Sequence, residues 1–262
     1  MIHKSAVIND DAKIASTASI GAGTIIGENV VIGENVKILG NAYLEHCEIG
    51  DNTVIAPFAS IGSAPQDLGY KGEATKSVIG KNCIIKEYVT VNRASGEGNI
   101  TKVGDNCLLM ASSHVAHNCV VEDNVIMANL ATLGGHTVVE FGAFIGGMSV
   151  FHQNVRIGAM SIVSGFSASR MDILPYCKAD GRPAITHGIN AIGLKRKGVT
   201  QEERNELKAA IKIITSGKYL MKDALNVVEE TVPQNKYVKH LVEFVRNSKR
   251  GICISRSEAI EL

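Results

Sequence analysis

Aliphatic residues recur every six positions along most of this chain. Ile8, Ile14, Ile20, Ile26, Ile32, Ile38 and Leu44 open the series, which slips by one place and resumes at Ile49, Ile55 and Ile61. It returns at Ile79, Ile85 and Val91. It then runs from Val103 through Leu109, Val115, Val121, Met127, Leu133, Val139, Ile145, Phe151 and Ile157 to Val163. Glycine often follows the aliphatic, as at Gly21, Gly33 and Gly104, and a small or β-branched residue often sits four places on, as at Ala18 and Val36. A period of six matches neither the 3.6 of a helix nor the alternation of one long strand. It predicts short strands joined by tight turns, each strand sending one aliphatic inward. Gly and Asn at the corners supply the backbone angles such turns need. This is the hexapeptide pattern of a parallel β-helix. Three hexads close one coil, so residues eighteen apart stack about 4.8 Å from each other.

Two stretches break the rhythm: loops 63–77 (SAPQDLGYKGEATKS) and 93–102 (RASGEGNITK). A solenoid accepts insertions as loops that project from a corner, and long loops on a rigid scaffold often carry function. The pattern ends after about Arg170, and Pro175 and Pro183 mark a connector. Thr200-Gln201-Glu202-Glu203 then reads as a capping box. Leu207, Ala210, Ile211 and Ile214 follow at helical spacing, with Gly217 as the stop. Ala224, Val227 and Val228 suggest a second helix; Tyr237, Leu241, Phe244 and Val245 suggest a third. The expected architecture is mainly β: a hexapeptide-repeat β-helix over 1–185 and a C-terminal α-helical domain over 186–262. Covering the open strand edges of the last coil is the simplest role for those helices.

Composition narrows the function classes. At 45% hydrophobic and 20% charged, the 262 residues are suited to a packed core rather than disorder. With no Trp and 5% aromatics, that core is built of small and branched aliphatics, which suits a thin, regular architecture. A net charge of +1 gives no support for nucleic-acid binding. From Lys195 to Leu262 there are 14 Lys/Arg against 9 Asp/Glu, a balance that would suit an acidic protein partner or simply a solvated helix surface. No run reaches the roughly 18 apolar residues of a membrane span, and the opening MIHKSAVINDDAKI has no apolar stretch of signal-peptide length. The six cysteines form no CxxC pair. The expectation is a soluble, cytoplasmic protein.

The candidate chemistry lies in the histidines. His114, His117, His136 and His152 fall late in the solenoid. Counting by eighteen from His117 reaches Gly135 and then Gln153, beside His136 and His152. These residues are therefore expected along one stripe about 10 Å long. His117 sits two places after inward-pointing Val115, hence at the surface. A row of titratable groups on a rigid surface is a candidate active site. Zinc is a rival use of the same imidazoles, through His114, His117 and His136, as in a metal-dependent hydratase. Val115 turns inward between the first two, however, and the chain is not helical there, so no metal site is assigned. Cys119 falls on an inward position and reads as core. In direct acyl transfer an alcohol or amine attacks a thioester, which needs a base of near-neutral pKa and a donor for the oxyanion. His117 facing Gly135 supplies both elements. A non-catalytic assembly protein remains a third reading.

The motifs SSHVAHNC, LGGH, GGMSVFHQ, PQDLGYKGE, GLKRKG and RNSKRG resemble the UDP-N-acetylglucosamine 3-O-acyltransferase family of lipid A synthesis, over nearly the whole chain. The resemblance implies a left-handed coil, against the usual right-handed crossover, and a homotrimer with sites between subunits. It implies transfer of a 3-hydroxyacyl chain from acyl carrier protein to UDP-N-acetylglucosamine, without a cofactor. His117 matches the general base and Gly135 the backbone oxyanion donor. His114, His136, His152 and Gln153 match residues that bind the sugar nucleotide and position the thioester, and Gln66 and Asp67 the acceptor-binding loop. Asn190, Arg196 and Lys197 match contacts to the nucleotide and acyl-donor arm, Lys197 standing where better-known members have Arg. Gly165 matches the end-stop that measures the acyl chain, and a Gly there implies a long one. Three positions depart from the family pattern: Asn118 for Asp, Gly69 for Lys and Ile192 for Glu. The last two surround the acceptor, so a 3-amino sugar that yields an amide is the alternative.

Overall fold

A computed structural model describes residues 1–254. Most strands of the solenoid are two residues long, an exposed or half-buried residue followed by a buried one, as at His114–Val115, Thr132–Leu133 and Arg156–Ile157. One hexad is therefore one strand and one corner. The strands stack in parallel into three sheets of nine, eight and ten strands. His114 pairs with Thr132 and Thr132 with Val150, so one coil is eighteen residues. Lower down, Val30 pairs with Cys47 at a spacing of seventeen, which absorbs the slip in the sequence phase.

Most corners place one residue in the left-handed region, three places after the inward aliphatic. Asparagine takes it at Asn35, Asn52, Asn106, Asn124 and Asn154, where its side chain tolerates the conformation best after glycine. Ile26, Leu44, Ile61, Val91, Val115 and Leu133 stack on successive coils of the nine-stranded sheet in an apolar row that is essentially closed to solvent. Burying each of these side chains stabilises the coil by about 1.5–3 kcal/mol.

The insertions end earlier than expected. Lys76–Ile79 and Ile100–Val103 are four-residue strands paired with each other, so the last residues of loops 63–77 and 93–102 belong to the solenoid wall. The register carries the inserted lengths: Ile49 pairs with Ile79, and Ile79 with Val103.

The expected boundary at 185/186 also falls inside an element. Strands Cys177–Gly181 and Ala184–Ile189 form an antiparallel hairpin on the last strand of the ten-stranded sheet. Four helices follow: α1 (Ala191–Arg196), α2 (Gln201–Ile214), α3 (Met221–Thr231) and α4 (Lys236–Arg246). The capping box is present, with Glu203 N–H donating to Thr200 Oγ1 at 3.2 Å and Thr200 N–H to Glu203 Oε2 at 2.8 Å. Leu174, Tyr176 and Cys177 share one core with Leu207, Ile211, Leu241 and Phe244. The open edge is thus covered by the hairpin first and the helices second. No helix among the described residues is long and apolar enough to cross a membrane.

Candidate active site

The corner that follows Val115, Leu133 and Phe151 holds His117, Gly135 and Gln153 on successive coils. A Cβ built on Gly135 would lie 2.5 Å from His117 Nε2 and 2.6 Å from Cε1, so the imidazole lies directly on that glycine. Gly135 is buried under it, and its N–H meets no acceptor among the described residues. At neighbouring corners the equivalent amide donates to a carboxylate: Phe141 N–H to Glu122, Ala159 N–H to Glu140, Asp105 N–H to Asp123. Those bonds belong to the corner after Val103, Val139 and Ile157; at this corner the N–H groups of His117, Gly135 and Gln153 all meet no acceptor among the described residues.

The other ring nitrogen is engaged. His117 Nδ1 lies 2.8 Å from Asn118 Oδ1. The Asn118 amide is itself fixed: its Nδ2 donates to Ser95 O at 3.0 Å, and its Oδ1 accepts from Ser95 N–H at 3.0 Å. With Oδ1 so identified, His117 Nδ1 carries the hydrogen and Nε2 presents a lone pair toward Gly135. Asn118 adopts φ 59°, which turns its side chain back onto the ring.

Both insertion loops reach this corner. Asp67 Oδ2 lies 2.8 Å from Ser95 Oγ, and Asp67 Oδ1 accepts from Gly69 N–H at 2.8 Å. The bonds from Gly69 and Ser95, in that order of weight, hold the Asp67 carboxyl below its usual range. The loops are locked together by Arg93, which donates to Gly62 O at 2.8 Å, to Tyr70 OH at 3.1 Å and to Glu45 Oε1 at 3.2 Å. Gln66 is exposed on the same loop.

His136 stands edge-on to His117, ring centroids 5.3 Å apart. His114 lies on the adjoining sheet face, its Nδ1 2.7 Å from Thr90 Oγ1. Burial, then the neighbouring His117, pushes the pKa of both His114 and His136 down. His152 and Gln153 are exposed one coil further on. Arg250 of the C-terminal segment reaches His152 Nδ1 at 3.1 Å and anchors itself on Arg170 O at 3.0 Å. Ser95, Thr90 and Arg250 carry no role in the sequence reading. Of the three, only Arg250 falls in a motif, RNSKRG, that the resemblance singled out. Among the described residues no three His, Cys, Asp or Glu side chains converge as a metal set would. Cys119 is fully buried, which pushes its thiol up to about 12.

The remaining candidates lie on other corners of the same chain. Asn190 caps α1, its Oδ1 accepting from Gly193 N–H at 3.1 Å and its Nδ2 donating to Met160 O at 3.0 Å. Lys197 Nζ sits 5.8 Å from the centre of the Phe141 ring. Phe141 and Met160 belong to the corner after Val139 and Ile157, one face away from His117. Arg196 opens there into a pocket of about 930 Å³ lined also by Lys178, His187, Lys195, Arg204 and Lys208, with no acidic side chain in its wall. Gly165 occupies the third corner, stacked on Gly147, whose carbonyl a Cβ at 165 would approach to 3.2 Å. One chain therefore gathers His117, Gly135, His136, His152, Gln153, Gln66 and Asp67, with His114 beside them. It does not bring Asn190, Arg196, Lys197 or Gly165 to them.

Known proteins resemble this chain over nearly its whole length. Residues 172–253 match the family model described as Udp N-acetylglucosamine O-acyltransferase, domain 2, and residues 100–135 the bacterial transferase hexapeptide model. Residues 1–96 match a model described as the GMPPB C-terminal domain. The acyl-(acyl-carrier-protein)–UDP-N-acetylglucosamine O-acyltransferase of Thermodesulfovibrio yellowstonii is 46% identical over 254 residues, which is 96% of this chain and 98% of that one. The UDP-N-acetylglucosamine acyltransferase structure from Francisella novicida superposes with a TM-score of 0.94 at 32% identity, covering 100% of this chain and 99% of that chain. The Arabidopsis enzyme structure gives 0.85 at 31% identity, covering 97% and 100%. With near-complete coverage at these identities, the chain belongs to the acyl-(acyl-carrier-protein)–UDP-N-acetylglucosamine O-acyltransferase family.

Proposed function

We propose that this enzyme transfers a (R)-3-hydroxyacyl chain from acyl carrier protein to the 3-position of UDP-N-acetylglucosamine, the first step of lipid A biosynthesis, with His117 as general base and no cofactor. The observation that carries this reading is the His117 imidazole lying against Gly135, whose N–H meets no acceptor among the described residues. The acceptor hydroxyl gives its proton to Nε2 as its oxygen attacks the thioester carbonyl. The carbonyl oxygen gains charge and takes the Gly135 N–H. Collapse of the tetrahedral intermediate expels the carrier thiolate, which recovers the proton from Nε2.

Other features support the partners. The basic pocket around Arg196 suits a phosphate-bearing or acidic ligand, in keeping with acyl carrier protein and the nucleotide. A mostly apolar groove of about 790 Å³, lined by Val150, Ala168, Met171 and Pro183 beside His152, lies on the sheet face that also holds His114 and suits an acyl chain. Gly165 at the preceding corner leaves room for a long chain. A homotrimer is supported by one ridge. Phe58, Tyr88, Leu130, Met148 and Phe166 are exposed along the third corner, with Ser112 at the level between Tyr88 and Leu130, each in the left-handed region. Bulky residues there cost backbone strain, and a neighbouring subunit would cover them. That arrangement also lets Asn190, Arg196 and Lys197 of one subunit serve His117 of another. Gly69 and exposed Ile192 favour a second reading of the acceptor, a 3-amino sugar, with the same base.

The test is mass spectrometry of the product from a panel of 3-hydroxyacyl carrier proteins offered both acceptors. An ester at the 3-position with a long acyl chain is expected. An amide would establish the 3-amino acceptor, and no product with either would end the reading.

A further inference from the structure

An imidazole that takes a proton at Nε2 becomes a cation, and the group touching its Nδ1, the Asn118 amide, is neutral. We propose that Ser95 is a positioning residue that ties the Asp67 carboxylate to the His117 imidazole, so that the charge opposite the developing imidazolium comes from the first insertion loop. The inference rests on His117 being the general base.

The geometry is specific. Ser95 Oγ has one hydrogen and two acceptors within reach, Asp67 Oδ2 at 2.8 Å and Asn118 Oδ1 at 3.1 Å, and it lies 3.4 Å from His117 Nδ1. The carboxylate is the nearest and the strongest acceptor, so the hydroxyl hydrogen points to it. The Ser95 Oγ lone pair is then left facing His117 Nδ1–H, which it shares with Asn118 Oδ1. Asp67 is held at both oxygens by the protein itself, through Ser95 Oγ and Gly69 N–H. The carboxylate is therefore in place without help from a substrate. The other titratable groups facing the ring, His136 and His114, are bases whose own charging would oppose an imidazolium. The acid facing it is Asp67. No proton reaches Asp67 in this scheme. The acceptor's proton stays on Nε2 until the thiolate leaves, and Ser95 keeps its own.

The test uses full-length enzyme, acyl carrier protein thioester and UDP-N-acetylglucosamine. Ser95→Ala keeps both backbone bonds to Asn118, which hold the ring orientation, and removes the hydroxyl that joins Asp67 to the ring. We expect kcat to fall roughly tenfold with KM for both substrates within about twofold. The acid limb of the kcat/KM profile should move to lower pH by roughly half a unit, because a carboxylate no longer tied to the ring favours the imidazolium less. Ser95→Thr, which retains the hydroxyl, should restore both. In an Asn118→Asp background the charge is local, and the Ser95→Ala loss should shrink to less than about twofold. Wild-type kcat with an unmoved acid limb in Ser95→Ala would overturn the inference, as would the same tenfold loss in the Asn118→Asp background. His117→Ala in the same assay separates the two levels. If that variant keeps its rate, the base assignment itself fails; if it is inactive while Ser95→Ala is unaffected, only the role of Ser95 fails.

Discussion

His117 depends on the absence of a side chain across from it. A methyl group on Gly135 would stand 2.5 Å from Nε2, so Gly135→Ala must push the ring aside. A displacement of that order costs about 10²-fold in kcat, while a surface corner absorbs one methyl with little change in unfolding temperature. Steady-state kinetics beside thermal denaturation checks the split. His114 gives a second prediction. Its folded pKa lies below the ordinary 6.5. The unfolded chain therefore takes up the proton first as pH falls, and stability present above about 6.5 is lost as pH drops through the folded pKa. Thermal unfolding of the ligand-free protein at descending pH should show this loss, and His114→Gln should lessen it. Counting by eighteen was enough to set 117 against 135, because the coils between them carry no insertion. It offered no means of finding Ser95 and Thr90, or of pairing Arg250 with His152. Ser95 lies in a loop without period, Thr90 stands a coil of twenty-four residues below its partner, and Arg250 returns from 98 residues away.

At the scale of elements, the repeat was plain in the chain wherever one hexad made one strand. The hairpin was not. Cys177 and Ala179 are buried while Lys178 is exposed, an alternation that five residues between two prolines do not distinguish from a connector. Helix α1 is too short to display a helical period, and its cap, Asn190, is the residue the resemblance assigned to the nucleotide. Both roles are compatible, since the amide that caps α1 also fixes where Arg196 points. Helix α2 was legible because its capping box precedes a clear apolar stripe. Thr200→Ala removes one arm of that box and should cost about 1 kcal/mol, measured by denaturant unfolding. The His117 corner is built by other elements, so kcat per folded molecule should hold.

For the whole molecule, the solenoid sets the candidate residues on three separate corners, and the proposed homotrimer would bring those of different subunits together. The ridge of Phe58, Tyr88, Leu130, Met148 and Phe166 was invisible to a reading that followed inward positions only. Met148→Glu places a charge in the middle of it. Analytical sedimentation should then report monomer in place of trimer, with a fall in activity that mixing with an otherwise intact His117→Ala subunit partly reverses. The account stands or falls on His117, and the most direct measurement is the single-turnover rate of acyl transfer by His117→Ala, followed across the pH range with 3-hydroxyacyl carrier protein and UDP-N-acetylglucosamine. The geometry predicts a folded protein whose rate falls by about 10²–10⁴-fold and whose profile has lost its acid limb. A rate within tenfold of wild type with that limb intact would contradict it.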